Sequence, residues 1–127
     1  MGESTANLRV GVDACDVSEL RRWLSLPTAE RFLANTYTDD ELLYCGRDAS
    51  RLGARWAAKE AVAKAIGSGF RGIAPNDIDI AHRQDGAPVV RSGSVRKWPH
   101  GAERWAWSVS MSHEKDLAVA VAIAVVP

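Results

Sequence analysis

The sequence is short of most features that mark a specialised class. Its 127 residues include only two cysteines, Cys15 and Cys45. They have neither the paired spacing of a metal site nor the density of a disulfide framework, so both read as packing residues of a reduced protein. Surplus charge is missing as well: sixteen Lys and Arg balance sixteen Asp and Glu. A neutral chain carries no electrostatic footprint for nucleic acid. The longest apolar run, Leu117 to Val126, falls far below the roughly 20 residues of a membrane helix. Met1 to Asn7 is polar, with no apolar stretch of a signal peptide, and Ala6 stands where a myristoylation pattern requires Ser or Thr. No internal repeat or low-complexity stretch occurs. These absences point to a cytoplasmic protein that binds neither nucleic acid nor membrane. The chain, 46% apolar and 25% charged, has globular composition, and its length predicts one domain, 1–127. That size is small for a self-sufficient catalytic cleft.

The most organised stretch runs from Arg55 to Lys64, Arg-Trp-Ala-Ala-Lys-Glu-Ala-Val-Ala-Lys. It has no Gly or Pro and is dense in strong helix formers. Arg55 and Lys59, Trp56 and Glu60, and Glu60 and Lys64 are each four apart and pair along the helix. Taken alone, this describes a solvated helix with one Glu-to-Lys pair worth about 0.2–0.5 kcal/mol.

Along the chain, Leu8–Ala14 alternates and predicts a strand carrying Asp13. Ser18 caps a helix that Pro27 stops, with its end at Leu26; Thr28 caps a second, Ala29–Asn35. Thr38 opens a third with Glu41 in capping-box position. Asp48 or Ser50 starts the long central helix, which ends at Gly67-Ser68-Gly69. Asp77–His82 and Pro88–Arg91 read as a hairpin around Asp85-Gly86. Arg91–Arg104, interrupted by Gly93, Pro99 and Gly101, predicts at most a broken turn of helix. Trp105–Ser112 and Leu117–Val125 form a terminal hairpin turning at His113–Asp116. In its last strand Leu117, Val119, Val121, Ile123 and Val125 alternate with four alanines, so both faces are apolar. The alanine face should lie under a helix or another subunit.

Asp13 on a strand and Glu60 on a helix offer two carboxylates on separate rigid elements. That is what a Mg²⁺ site asks of a protein, since the ion fills its octahedron with water and substrate phosphates. Arg55, Lys59 and Lys64 beside Glu60 would then neutralise those phosphates.

Gly11-Val12-Asp13, the helix from Trp56 through Lys59 and Glu60 to Lys64, its Gly67-Ser68-Gly69 end and the Ser110-Met111-Ser112-His113 hairpin together resemble the holo-acyl-carrier-protein synthases. These are the short, group I type of 4′-phosphopantetheinyl transferase. The resemblance spans about Val10 to Val125. It implies an α+β fold, an antiparallel sheet packed with a long central helix, assembled as a homotrimer with coenzyme A between neighbouring subunits. It also implies transfer of the phosphopantetheine arm of coenzyme A to a serine of an acyl or peptidyl carrier protein, releasing 3′,5′-ADP. Asp13 and Glu60 would hold Mg²⁺, and Glu60 or a metal-held water would accept the serine proton. Lys64 would neutralise charge on the leaving group. Arg55, Gly67, Ser68, Pro88, Ser112 and His113 match positions lining the coenzyme A site, with His113 at the nucleotide end. Two departures fall on docking and architecture: Glu19 stands where the family usually has Arg, with Arg21 and Arg22 nearby, and Arg91–Arg104 is broken where a full helix is usual. The alternatives are a same-fold protein that binds coenzyme A or a nucleotide without transfer, and a transferase with a specialised acceptor.

Overall fold

A computed structural model describes residues 7–127; the signal and acylation readings of Met1–Ala6 lie outside the described residues. The chain runs β1 (Leu8–Asp16), α1 (Val17–Trp23), α2 (Ala29–Thr36), α3 (Asp39–Cys45), α4 (Ala49–Ile66), β2 (Ile78–His82), β3 (Pro88–Ser92), β4 (Ala106–Glu114) and β5 (Leu117–Val125), with 3-10 turns at Pro75–Asp77 and Pro99–Arg104. Three strands form an antiparallel sheet in the order β1-β5-β4, and β2 pairs with β3 in a separate antiparallel ribbon. The fold is α+β, with α4 lying across the larger sheet.

Alanine makes that arrangement possible. Ala118, Ala120, Ala122 and Ala124 of β5 are all buried, as are Ala57, Ala58, Ala61 and Ala65 of α4. Small side chains on both surfaces let helix and sheet approach closely, so the alanine face is covered by this chain's own helix. Thirteen of the eighteen residues of α4 are buried, which makes it a core helix rather than a solvated one. Asp48 caps its start by accepting from the Ser50 and Arg51 amides, and Gly67 ends it at φ 95°, where a glycine carries no strain.

Other boundaries moved for local reasons. Asp16, not Ser18, caps α1: its carboxylate accepts from the Ser18 and Glu19 amides and from the Ser18 hydroxyl, so β1 runs directly into the helix. That helix ends at Trp23 rather than Leu26. The terminal hairpin turns on Lys115 and Asp116 alone, with Glu114 opposite Leu117 and Lys115 at φ 54°. Pro99–Arg104 is the expected broken turn, kinked at His100 and Gly101, both with positive φ. The helices of the described residues include none long and apolar enough to cross a membrane.

Candidate active site

The site begins with a glycine. Gly11 faces α4, and a Cβ there would lie 1.9 Å from the Ala61 carbonyl oxygen and 2.8 Å from the Ala65 nitrogen. Glycine alone allows β1 this close to the helix backbone. Two residues on, the strand pleat returns to the same face and places Asp13 against α4, with its side chain 14% accessible. Lys64 donates to it, Nζ 2.7 Å from Asp13 Oδ1, and also to the Val12 carbonyl at 3.3 Å.

Glu60 lies one helical turn before Lys64 and adjoins the same carboxylate. Its carboxyl is pushed up to about 7, first by burial, then by the hydrogen bond its protonated form donates to Asp13 and by repulsion from Asp13, while Lys64 and a hydrogen bond with Trp56 pull it down. Trp56 in turn stacks on Phe70, ring centroids 5.7 Å apart, so the loop after α4 folds back beside the carboxylates. An acid whose folded pKa is raised contributes stability below its unfolded value and loses it as pH rises through the folded one. The metal-free protein should therefore lose stability to urea between roughly pH 5 and pH 8, and Glu60→Gln should flatten that slope. Equal slopes in both proteins would contradict this account of Glu60.

The donor set suits a hard divalent cation. Two apposed carboxylates that resist joint ionisation gain from a shared cation, and oxygen is the ligand that Mg²⁺ prefers. No cluster of three or more His, Cys, Asp or Glu side chains that could hold a metal forms among the described residues, so the remaining ligands would come from water and substrate, as is usual for Mg²⁺.

A second group gathers elsewhere. Arg55, Pro88 and His113 line one hollow of about 250 Å³, together with Tyr44, Arg51 and His82. Arg51 and Arg55 both lie over the Tyr44 ring, at 5.1 and 4.7 Å, and Tyr44 packs on His82 at 4.1 Å. Arg55 hydrogen-bonds His82 Nε2. Burial, then Arg55 and Arg51, hold His82 below its ordinary pKa, so the imidazole accepts from the guanidinium. Arg55 is 3% accessible, its Nε has no partner, and no carboxylate pairs with it among the described residues. A buried cation in that state is ready for an anion.

The helix separates residues that lie close in sequence. Trp56, Glu60 and Lys64 share the face toward Asp13; Arg55 and Lys59 lie on another side, turned by the helical repeat. Arg55 therefore serves the hollow rather than the carboxylates. Lys59 is a correction: its side chain is fully buried and paired with Glu41 at 2.6 Å, because the helix turns it into the core between α3 and β2, so it meets no ligand. Burial pushes its ammonium below the ordinary range against the pull of Glu41. Gly67 and Ser68 sit at the far end of α4, where Arg9 donates to the Ala65 and Ile66 carbonyls. Ser112 lies on the opposite face of the sheet from Met111 and His113, so within one chain it does not join their hollow. Glu19 is half-buried in a small recess with Trp23 and Trp56. Tyr44, Arg51 and His82 escaped the sequence reading. Arg51, four residues before Arg55, carried the one available signal.

The sequence pattern of the 4′-phosphopantetheinyl transferase superfamily matches residues 9–122. A holo-[acyl-carrier-protein] synthase of Gloeobacter violaceus is 36% identical over 117 residues, 88% of each chain. The crystal structure of the corresponding synthase from Neisseria meningitidis superposes with a TM-score of 0.80 at 30% identity, covering 94% of this chain and 98% of that one. The Helicobacter pylori synthase, solved in complex with coenzyme A, shares the fold at TM-score 0.80 and 22% identity, over 91% of this chain and 98% of its own.

Proposed function

The chain belongs to the 4′-phosphopantetheinyl transferase superfamily, among its holo-[acyl-carrier-protein] synthases, and on that basis we propose that it moves the phosphopantetheine arm of coenzyme A onto a serine of an apo acyl carrier protein. The whole chain, 1–127, acts as one transferase domain. In the reaction the serine Oγ bonds to the phosphorus that carries pantetheine, the bridging P–O bond of the pyrophosphate breaks, and 3′,5′-ADP leaves.

The observation that carries this proposal is the Asp13–Glu60–Lys64 cluster, built where β1 and α4 cross. Glu60, beside Asp13 where β1 and α4 cross, is the carboxylate placed to take the serine proton. The Lys64 ammonium, oriented by Asp13, would meet the charge left on the bridging oxygen. Asp13 and Glu60 would hold Mg²⁺, which when bound supplies Lewis-acid polarisation of the pyrophosphate. Arg55, with Arg51 and His113 in the same hollow, would take the phosphate-bearing nucleotide end, and Pro88 its rim. Chromatography should detect 3′,5′-ADP release only when coenzyme A, Mg²⁺ and an apo-carrier are all present. Coenzyme A breakdown without a carrier, or none at all, would count against transfer.

A homotrimer fits the same picture. Val10 and Val12 of β1 and Val119 and Ile123 of β5 lie on the sheet face away from α4, with accessibilities of 65, 64, 39 and 39%. A contiguous apolar sheet face is a surface for association. Ser112 lies on that face, and Gly67 and Ser68 are remote from the Arg55 hollow, so neighbouring subunits would complete one coenzyme A site between them. Val12→Glu should dissociate the assembly and lower activity together. Sedimentation of a wild-type monomer with full activity would contradict the trimer.

A further inference from the structure

The Glu41–Lys59 ion pair is fully buried, with side-chain accessibilities of 1% and 0%. Its hydrogen bonding is complete. Glu41 Oε1 accepts from Lys59 Nζ at 2.6 Å and from the Thr38 amide at 2.8 Å, and Oε2 accepts from the Ile80 amide at 2.8 Å. Lys59 uses its other two donors on the Pro75 and Ile78 carbonyls. An ammonium has three protons to give, and all three are taken. One pair therefore fastens α3, α4 and β2 to one another.

The same three elements supply Tyr44, Arg55 and His82 of the hollow, each a short step from the fastening. Tyr44 follows Glu41 by three residues on α3, Arg55 precedes Lys59 by four on α4, and His82 follows Ile80 by two on β2. Those offsets return a side chain to the same side of a helix or strand. Tyr44, Arg55 and His82 then meet in one stack. None of the three is anchored by a carboxylate of its own among the described residues. Their mutual positions depend on how α3, α4 and β2 are held.

We propose that the buried Glu41–Lys59 pair is a positioning device that sets the Tyr44–Arg55–His82 stack for the nucleotide end of coenzyme A; this rests on the assignment of that hollow made above. A fully satisfied buried network fixes one geometry, and a partly satisfied one does not. Small displacements of a binding group have large consequences, about 100-fold for 1 Å in favourable cases. Lys59 and Glu41 act through the stack and touch no substrate.

The test compares wild type, Lys59→Met and Lys59→Gln, with 3′,5′-ADP binding measured by calorimetry and coenzyme A KM separated from kcat. Lys59→Met removes all three donors and should raise Kd and KM by at least about tenfold while kcat at saturation stays within about threefold. Lys59→Gln keeps a donor toward Glu41 and should recover most of that loss. Folded variants that bind like wild type would reduce the pair to a core contact and overturn the proposal. Failure of wild type to bind 3′,5′-ADP would instead remove the assignment of the hollow, and the proposal with it. If neither variant folds, amide exchange in wild type decides. The Thr38 and Ile80 amides bond to Glu41, so by reciprocity 3′,5′-ADP should slow their exchange; unchanged exchange on saturation overturns the coupling.

Discussion

Asp13→Ala and Glu60→Ala should each lower the transfer rate by about 10²–10⁴-fold while the protein stays folded. Neither carboxylate supports the core. Asp13 pairs with an exposed Lys64, whose side chain is 54% accessible, so its removal leaves no buried charge unpaired. Glu60 is held at a raised pKa by burial and by Asp13, so its removal relieves repulsion in the metal-free protein. The expected pattern is near-complete loss of transfer, a thermal midpoint close to wild type, and binding of 3′,5′-ADP through Arg55 retained. Mg²⁺ affinity should fall in both variants, read by calorimetry independently of turnover. Full activity in either variant would remove the cluster from the chemistry.

Gly11→Ala should be the most damaging single change to the architecture. The added methyl would lie 1.9 Å from the Ala61 carbonyl oxygen, a contact with helix backbone that no rotamer change relieves. Overpacking usually costs about 1–3 kcal/mol, and a clash with backbone on both elements belongs at or beyond the top of that range. The thermal midpoint should fall by roughly 10 °C or more. Separating β1 from α4 also separates Asp13 from Glu60, so the folded remainder should lose activity as well. A variant with wild-type melting and wild-type rate would mean that the strand does not rest on the helix as described.

Much of this was legible in the sequence because its signals are local. The Thr38–Glu41 capping box, a start of α4 at Asp48 or Ser50 and its Gly67 end, and the alternation of β5 all follow from near neighbours. The four alanines of β5 called for close cover by a helix or another subunit, and α4 of the same chain provides it. The Asp13–Glu60 approach was legible only by resemblance, since nothing in their spacing brings residues 47 apart together. Gly11 carried the reason, but a glycine in a strand does not say what crosses it.

The polar residues of α4 were the hard part. Arg55, Lys59, Glu60 and Lys64 look alike in a helix of charged and alanine residues, yet rotation by 100° per residue sends them to the Tyr44–His82 hollow, the core and the carboxylate cluster. Lys59 goes inside only because Glu41, on a different helix, meets it there, and a long-range partner leaves no mark in either segment. His82 and Tyr44 were missed for the same reason, being brought together by three elements rather than by one. Ser112 shows the reverse case. Its neighbour His113 lies on the other face of the sheet, and one residue along a strand is enough to part them.

The most direct test is the intact mass of a purified apo-carrier after incubation with the protein, coenzyme A and Mg²⁺. The account predicts that the carrier gains one phosphopantetheine arm, that replacing its acceptor serine with alanine abolishes the gain, and that the Glu60→Ala protein does not produce it. Carriers of unchanged mass under conditions where the wild-type protein is folded and binds coenzyme A, across both fatty-acid-type and specialised acceptors, would contradict it.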